Sequence, residues 1–195
     1  MPGDAEATKK RLIEAGAREF AEYGIAGARV DRIADLAKSN KAQIYHYFGS
    51  KDALFDAVFH ELVVGTVREV PIDAGDLPEY AARLFDGYQE RPEVLRIATW
   101  YRLERAGTQS PLRAIVASNQ HKVDSIEAAQ RAGTIPSRWP AADLLMLVLA
   151  MSTMWNTLTP EFADLVAART HDERRTLVAN AVKALLAPDE IPDSR

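Results

Sequence analysis

The spacing of proline constrains the fold of this chain more than any other feature of its sequence. No proline occurs between Pro2 and Pro71, and eight more follow Pro71 at intervals. Because proline breaks a helix interior but is tolerated at a helix start or in a loop, these positions mark joints. The segments between the joints have apolar residues at helical spacing, and none has the alternation with β-branched residues that is typical of a strand. The sequence therefore predicts an all-α protein.

Ten helices are predicted from this periodicity and from residues that favour helix ends. Gly24 is expected to stop the first helix by adopting the left-handed conformation. Asn40 and Ser50 are favourable N-caps for the third and fourth helices. The predicted ranges are 8–22, 31–38, 41–48, 51–70, 77–90, 92–107, 111–132, 141–158, a short helix after Pro160, and 172–187.

Two segments near the end of the chain bear on oligomeric state. Residues 144–155 are apolar nearly all round, which calls for burial on every side, and residues 173–186 are amphipathic. Two such helices from each of two chains would form a four-helix dimer interface. The alternative is that both helices fill the core of a monomer. The pattern favours the homodimer.

Composition excludes several classes of protein. The 195 residues contain no cysteine, which excludes disulfide frameworks, thiolate zinc sites, iron–sulfur clusters and a cysteine nucleophile. The polar N-terminus lacks the apolar stretch of a secretion signal. The longest apolar run, residues 144–150, is far shorter than the roughly 20 residues of a membrane helix. We therefore expect a cytoplasmic protein with no membrane partner.

Charge is distributed unevenly along the chain. A net charge of −4 and a pI near 5.6 argue, taken alone, against a nucleic-acid partner. Residues 29–51, however, carry five Lys or Arg and two Asp, a net charge of +3. This basic segment contains the second and third predicted helices, whose short lengths and tight connection indicate a helix-turn-helix. Two plainer interpretations stay open, since short helix pairs often serve packing and charged segments are often only solvated.

The third predicted helix has an unusual composition. Only Ile44 and Phe48 are spaced as core anchors, and the rest of the helix offers a lysine, an amide and two phenols. Such groups bond to base edges and phosphate oxygens. Lys51 begins the next helix, where free backbone amides suit a phosphate. Gln43 has a competing structural role, because its side chain can close a capping box with Asn40.

One string of residues is highly specific. From Tyr45 to Leu54 the chain reads Tyr-x-Tyr-Phe-x-Ser-Lys-x-x-Leu. Together with a first helix that contains Phe20 and Gly24, the string resembles the N-terminal DNA-binding domain of the tetracycline-repressor (TetR) family over roughly residues 8–62. The resemblance implies a three-helix bundle whose third helix enters the major groove of DNA. It also implies a larger C-terminal domain that dimerises and binds a small-molecule effector.

The resemblance also implies that the chain has two domains with different functions. Residues 1–52 would form the helix-turn-helix DNA-binding domain, and residues 53–195 the effector-binding and dimerisation domain. The start of the third helix matches the family's base-reading positions, its two tyrosines match the phosphate- and base-contacting pair, and the lysine after it matches a phosphate contact. The predicted DNA-contacting residues are Arg29, Lys41, Ala42, Gln43, Tyr45, His46, Tyr47 and Lys51.

Three residues depart from the family pattern. Lys38 stands where a small-turn glycine is usual, so a non-glycine residue is expected in a strained turn, or the turn differs. Arg29 stands where a Ser or Thr cap is usual. Asp31 stands where some members place a DNA-contacting arginine, and a carboxylate there would repel phosphate. We assign Asp31 no DNA contact on this basis.

Candidate effector-binding residues are the aromatic, thioether and selected polar side chains of the C-terminal region. Aromatic residues at helical spacing are more often core than ligand contacts, and that interpretation competes for each of them. A pocket built from them would suit an apolar or aromatic effector, and no cofactor or metal is predicted. The candidates are Phe85, Tyr88, Trp100, Tyr101, Arg102, His121, Met151, Trp155 and Asn156.

The sequence thus predicts a homodimeric transcription regulator, a repressor released from a near-palindromic DNA operator by a small effector, with the fourth helix as the lever. A small all-α enzyme is one alternative, but the four histidines lie on separate segments without triad or metal-ligand spacing. An effector-binding dimer with a decayed DNA-binding face is the other, and Asp31 and the missing turn glycine are its support.

Overall fold

The computed structural model describes residues 2–105 and 112–187, and every regular element within them is helical, which confirms the all-α prediction. A 3₁₀ turn, Met154–Asn156, follows the eighth α-helix. The α-helices are α1 (Pro2–Gly27), α2 (Val30–Leu36), α3 (Lys41–Phe48), α4 (Lys51–Glu69), α5 (Leu77–Glu90), α6 (Pro92–Arg105), α7 (Arg113–Arg131), α8 (Ala141–Thr153), α9 (Pro160–Leu165) and α10 (His171–Leu185).

The observed bounds differ from the predicted ones by more than two residues at two helices. α1 begins at Pro2, several residues before the apolar periodicity starts. α8 ends at Thr153, whereas the periodicity predicts one helix to residue 158. The hydroxyls of Ser152 and Thr153 donate to the carbonyl of Leu149 at 2.8 and 3.2 Å, and such side-chain bonds compete with the helical ladder. The predicted helix ends at 106–107 and 111 lie outside the described residues.

Gly24 breaks α1 without ending it, which corrects the prediction of a simple left-handed stop. Its φ is 71° as expected, but its ψ is −177°, and the chain resumes a helical path to Gly27. A Cβ at this position would lie 2.5 Å from Glu104 Oε1 and 2.9 Å from the Trp100 ring. Both the positive φ and the space therefore require glycine here.

The chain divides into two compact units. Unit 1 contains Met1–Thr66 and Arg91–Val116, and unit 2 contains Val67–Glu90 and Ala117–Arg195, so that α4 is shared between them. In the core of unit 1, Phe20 and Phe55 meet edge to face with ring centroids 5.2 Å apart. Side chains from α1 to α4 and from α6 complete this core, among them Leu12, Ile33, Ile44, Leu54, Val58 and Ile97.

Unit 2 has a separate apolar core formed by α5, α7, α8 and α10. Its buried members include Leu77, Phe85, Ile126, Leu144, Val148, Val178 and Val182. Among the described residues α8 is covered on one side only, because Met146 is 61% exposed while Leu145 and Val148 are buried. The burial on every side that the sequence predicts for this segment is therefore not supplied by the described residues.

Candidate nucleic-acid interface

The connection between α2 and α3 is the tight turn that the sequence predicts. Lys38 has a φ of 50°, which confirms that a non-glycine residue takes a left-handed conformation there. The amide of Ser39 donates to the carbonyl of Ala34 at 2.9 Å and closes the turn. The helix-turn-helix is thus formed despite the missing glycine.

Asn40 caps α3 as predicted. Its side-chain oxygen accepts from the amide of Gln43 at 3.0 Å. The side chain of Gln43 is engaged with Ser39, whose hydroxyl donates to its Oε1 at 3.4 Å. This bond is long and uses only the carbonyl oxygen of the Gln43 side chain, so its NH₂ group can donate to a further partner.

The outward side of α3 carries most of the predicted DNA contacts. Ile44 is the one residue of α3 that is fully buried, and Phe48 is half-buried beside it, so both predicted anchors face the core. Tyr47 is also half-buried, with its ring 5.2 Å from that of His46. The exposed predicted contacts on this helix are Lys41, Ala42, Tyr45 and His46, and Gln43 is partly exposed.

A buried carboxylate replaces the missing cap at the start of α2. Arg29 is the N-cap residue, in extended conformation and without a side-chain cap bond. Glu19 of α1, only 3% exposed, accepts from the amide of Arg29 at 2.8 Å and from Arg32 Nε at 2.7 Å. The hydrogen bond that Arg32 donates to Glu19 raises the pKa of the Arg32 guanidinium, which also donates to the carbonyl of Gly27. Glu19 therefore fixes where α2 begins relative to α1.

Asp31 lies among the predicted DNA contacts and is paired with two of them. Its carboxylate forms an ion pair with the ammonium of Lys41 at the start of α3. A second, longer contact of 3.8 Å joins it to the guanidinium of Arg29. All three side chains are partly exposed, so one carboxylate holds two cations on the surface of the helix-turn-helix.

Lys51 lies at the start of α4, as predicted, but part of its hydrogen-bonding capacity is used within the chain. Its ammonium donates to the carbonyls of Ala26 and Ala28 at 3.2 and 3.0 Å. An ammonium has three N–H donors, so one is left for a phosphate oxygen. Ser50 caps the same helix through the amide of Ala53 at 3.0 Å.

One face of α6 holds the bent end of α1. The carboxylate of Glu104 accepts from the amides of Ile25 and Ala26 at 3.0 and 2.8 Å. These two amides follow directly on the break at Gly24. One and two turns earlier on α6, Trp100 Nε1 and Arg96 Nε both donate to the carbonyl of Ala21, at 3.3 and 2.9 Å. The α1 break is therefore stabilised by side chains distant in sequence.

Three of the predicted effector-binding residues lie in unit 1. Trp100 is bonded to α1, and Tyr101 packs on Phe55 and Phe59 with centroid distances of 6.4 and 4.8 Å. Arg102 is exposed. Trp100 and Tyr101 thus have the packing role that competes with ligand binding for aromatic residues at helical spacing.

The other six lie in unit 2, and the structure brings some of them together. Asn156 accepts from Gln89 Nε2 at 3.0 Å, which joins the 3₁₀ turn to the end of α5. The Arg174 guanidinium lies over the Trp155 ring at 5.1 Å. Phe85 is fully buried, and Tyr88 and Met151 pack against the same core, whereas His121 is exposed.

Sequence reasoning missed Glu19, Arg32 and Glu104 as residues that shape the DNA-binding surface. One signal for Glu19 was present, since it lies four residues after Ala15 and seven after Leu12, on the apolar side of α1. A carboxylate at such a position requires a partner. Nothing in the sequence names Arg29 and Arg32 as those partners.

Two further features, a membrane-spanning helix and a group of metal-ligating side chains, are absent from the described residues, 2–105 and 112–187. No helix within them combines the length and the apolar character needed to cross a membrane. In the same residues no three His, Asp or Glu side chains are grouped as metal ligands.

Comparison with known proteins connects these features to one family. Residues 12–58 match the family described as bacterial regulatory proteins, tetR family, and residues 76–183 match the tetracyclin repressor-like C-terminal domain. The chain is 39% identical over 161 residues to the HTH-type transcriptional repressor SCO4008 of Streptomyces coelicolor, covering 81% of this chain and 82% of that protein. It is 33% identical over 100 residues to the HTH-type transcriptional repressor NicS of Pseudomonas putida, covering 48% and 47%.

A solved structure agrees with these sequence matches. The crystal structure of SCO4942 from Streptomyces coelicolor superposes with a TM-score of 0.80 at 36% identity, covering 91% of this chain and 97% of that one. The matched relatives are transcription regulators rather than enzymes. The two family matches, the identity to a repressor over most of its length and the helix-turn-helix geometry lead to one conclusion: this chain belongs to the tetracycline-repressor family of DNA-binding transcription regulators.

Proposed function

We propose that the protein is a homodimeric repressor that binds a near-palindromic operator and is released from it by a small molecule. The observation that carries this proposal is the outward side of α3, where Lys41, Ala42, Tyr45 and His46 are exposed while Ile44 anchors the helix. In such a dimer the two α3 helices would read half-sites roughly 34–36 Å apart. This role assigns the protein to the cytoplasm and divides it into a DNA-binding domain, residues 1–52, and a regulatory domain, residues 53–195.

Base reading is assigned to the start of α3. Lys41 can donate to guanine O6 or N7, and the amide of Gln43 can pair with adenine. The phenols of Tyr45 and Tyr47 position the helix through phosphate and sugar. His46 and Arg29 add positive or hydrogen-bonding groups at the edge of the same surface, and Ala42 permits close approach to the bases.

Footprinting on the DNA upstream of the protein's own gene tests operator binding and its symmetry together. Protection of a near-palindromic site, with affinity that falls steeply as salt rises, supports the proposal. Absence of protection at low salt on any candidate promoter contradicts it. That outcome favours the alternative of an effector-binding dimer without a working DNA-binding face.

Two substitutions test separately the contacts to bases and the contacts to phosphates. Gln43→Ala is expected to relax preference at one base pair of the operator, because it removes a base-edge contact. Lys51→Ala is expected to weaken all sequences alike and to flatten the salt dependence, because it removes a phosphate contact. Equal effects of both variants on operator and random DNA would contradict this assignment.

Dimerisation is assigned to α8 and α10. On α8 the exposed Met146 lies on the side opposite the buried Leu145 and Val148, and on α10 Leu177 is 43% exposed beside the buried Val178. Apolar faces of this kind on two neighbouring helices suit a four-helix interface between two copies. α5, α8 and α10 pack on one core within unit 2, which supports the two helices acting as one surface.

The effector is assigned to unit 2, around the end of α5 and the 3₁₀ turn, where Tyr88, Met151, Trp155 and Asn156 lie. Trp155 Nε1 is buried and has no hydrogen-bond partner among residues 2–105 and 112–187. Since an indole N–H only donates, an effector bound here would place an acceptor oxygen or nitrogen against it. The effector is therefore an apolar or aromatic molecule with at least one acceptor. α4, which both units share, is the lever through which binding would alter the helix-turn-helix.

Mass spectrometry of small molecules that co-purify with the protein tests this assignment directly. A panel of aromatic acids titrated against the operator complex gives a second test. Trp155→Phe keeps an aromatic ring, although a smaller one, and removes the donor, so we expect half-maximal release from the operator to need an effector concentration about tenfold higher. Trp100→Phe is the comparison in unit 1; it also removes the bond to Ala21, so release is compared only after the operator affinity of each variant is measured without effector. An equal loss of release in Trp100→Phe would contradict the assignment to unit 2.

A further inference from the structure

The pairing of Asp31 with two cations of the proposed DNA-binding surface has a functional meaning beyond that of the surface itself. Asp31 lies in the first turn of α2, and Lys41 begins α3. The ion pair between them, with Arg29 at 3.8 Å on the other side, therefore joins the starts of the two helices of the helix-turn-helix.

These pairs contribute little to the stability of the fold. The side chains of Asp31, Lys41 and Arg29 are 43%, 58% and 66% exposed, and exposed ion pairs are weak because water and salt screen them. The helix-turn-helix has other contacts that hold it, namely the buried Glu19 at the start of α2 and the Asn40 cap of α3. Asp31 also complements the dipole of α2 from its first turn, a small contribution that any exposed carboxylate there would make and that does not require the pairing with Lys41 and Arg29.

The carboxylate does change what the surface offers to DNA. Without it, Lys41 and Arg29 would present two full positive charges to any phosphate. With it, one of those two charges is cancelled, and the negative group itself lies within a Debye length of a phosphate approaching either cation. Since sequence-independent binding depends on how many phosphates the protein neutralises, Asp31 lowers affinity for DNA in general.

Operator DNA differs from random DNA in how it can compensate this loss. To read a guanine, Lys41 must exchange the Asp31 carboxylate for the base acceptors O6 and N7, and a correct base supplies them in the right place. Random DNA offers only a phosphate, which Asp31 repels. A repulsive group that acts mainly against the wrong partner increases discrimination.

We propose that Asp31 is a specificity-determining residue, which suppresses non-specific DNA binding by holding Lys41 and Arg29 until a matching base replaces it. The inference rests on the proposed function, because it requires that the protein binds an operator. It assigns Asp31 no contact with DNA and makes it a positioning residue that acts through Lys41.

Asp31→Asn is the variant that tests this. We expect non-specific affinity to rise about three- to tenfold at low salt, with a salt slope steeper by up to about one unit, since one more cation is available to phosphate. Operator affinity should rise less, so that the ratio of specific to non-specific affinity falls. The readouts are fluorescence anisotropy on operator and on random DNA at several salt concentrations, with the thermal unfolding midpoint checked in parallel.

Asp35→Asn is the matched control. Asp35 lies one turn further along α2, is exposed, and forms no ion pair within the described residues. The substitution removes the same charge without freeing Lys41, so it should change the affinity ratio much less. In a Lys41→Gln background the effect of Asp31→Asn should shrink, because its partner is gone.

The outcomes distinguish the two hypotheses. If the wild-type protein binds no operator, the proposed function fails. If the wild-type protein binds the operator, and Asp31→Asn leaves its affinity for random DNA and its salt slope unchanged, the proposed role of Asp31 is wrong while the proposed function stands. A loss of preference at a single base pair without any gain on random DNA would show that Asp31 reads a base itself, and it would also overturn the inference. Equal gains for Asp31→Asn and Asp35→Asn would reduce the effect to net charge and overturn it too.

Discussion

In unit 1 the carboxylates of Glu19 and Glu104 have partners distant in sequence, and among its described residues one buried side-chain atom, Asp56 Oδ1, has no hydrogen bond, whereas unit 2 has several such atoms. Glu19 accepts from the start of α2, and Glu104 accepts from the amides that follow Gly24. In unit 2 the hydroxyl of Tyr80, Trp155 Nε1 and Arg174 Nε are buried without a partner within residues 2–105 and 112–187. Both units expose large apolar side chains, and those of unit 2 lie on three helices, namely Met146, Phe162, Leu165 and Leu177.

The contrast follows from what each unit is proposed to do. A reading surface must hold its helices in one arrangement before DNA arrives, and long-range hydrogen bonds to buried carboxylates achieve this. A regulatory and dimerising unit must instead keep apolar surface and donors available for a second copy or an effector. Unit 1 is therefore expected to be sensitive to substitutions inside the chain, and unit 2 to substitutions on its surface.

The largest effect is expected at Gly24 in unit 1. Gly24→Ala would force a Cβ against Glu104 and Trp100 at a positive φ, so we expect a loss of about 3 kcal/mol or more in unfolding free energy, with loss of operator binding. Gly87→Ala in α5 of unit 2 is the control, since a Cβ there has nothing within 4 Å. It should be neutral or raise stability by about 0.5–1 kcal/mol. Urea unfolding measures both, and similar losses would remove the contrast between the units.

Glu19 should give the next largest effect. Glu19→Gln leaves a buried neutral amide where the carboxylate accepts from Arg29 and Arg32, and we expect a loss of about 1.5–3 kcal/mol in unfolding free energy, because hydrogen bonds to a charged group are weakened. Glu14→Gln on the same helix removes only an exposed pair with Lys10 at 4.0 Å and should change stability by less than about 0.5 kcal/mol. If urea unfolding gave Glu19→Gln the same small change, the cap on α2 would not depend on this carboxylate.

A smaller effect is expected on assembly through unit 2. Met146→Glu places a charge on the proposed dimer face, and we expect the dimer dissociation constant to rise roughly thirtyfold, about 2 kcal/mol. Leu103→Glu is matched in exposure, 65% against 61%, but lies on α6 of unit 1. Sedimentation equilibrium should show the shift only for Met146→Glu, and dissociation by Leu103→Glu alone would place the interface elsewhere.

The smallest effect concerns the partnerless hydroxyl of Tyr80. Tyr80→Phe removes a buried group that has no hydrogen bond in the described residues, so stability at neutral pH should stay equal or rise by up to about 1 kcal/mol. Burial raises the pKa of Tyr80 above the ordinary tyrosine value of 10.0, with a further contribution from Tyr88. The unfolded chain therefore ionises first as pH rises, and stability should fall above about pH 10.

Urea unfolding at about pH 8 and about pH 11 measures this dependence. Tyr80→Phe should lose less stability between the two pH values than the wild type. A clear loss of stability in Tyr80→Phe at neutral pH would mean that the hydroxyl has a partner after all, and the contrast between the units would weaken.

Features that depend on neighbouring residues were predicted correctly from the sequence, and features that depend on residues distant in the chain were not. The left-handed Lys38, the Asn40 cap and the anchor Ile44 were predicted, since each depends on residues within one turn of helix. Gly24 was predicted to stop α1, yet the helix resumes. The amides that follow Gly24 are bonded by Glu104, 78 and 79 positions away, and periodicity carries no information about such a partner.

The sequence by itself determined the helical segments, the caps of α3 and α4, the turn of the helix-turn-helix and the family, because these depend on spacing of three or four residues and on one contiguous string. Only the tertiary structure decided that Glu19 caps α2, that Lys51 is bonded to the end of α1, and that Asp31 holds Lys41. The physical reason is that a charged side chain takes whichever partner the packed helices bring within hydrogen-bond reach. Which helices those are depends on burial of the apolar faces of all of them together.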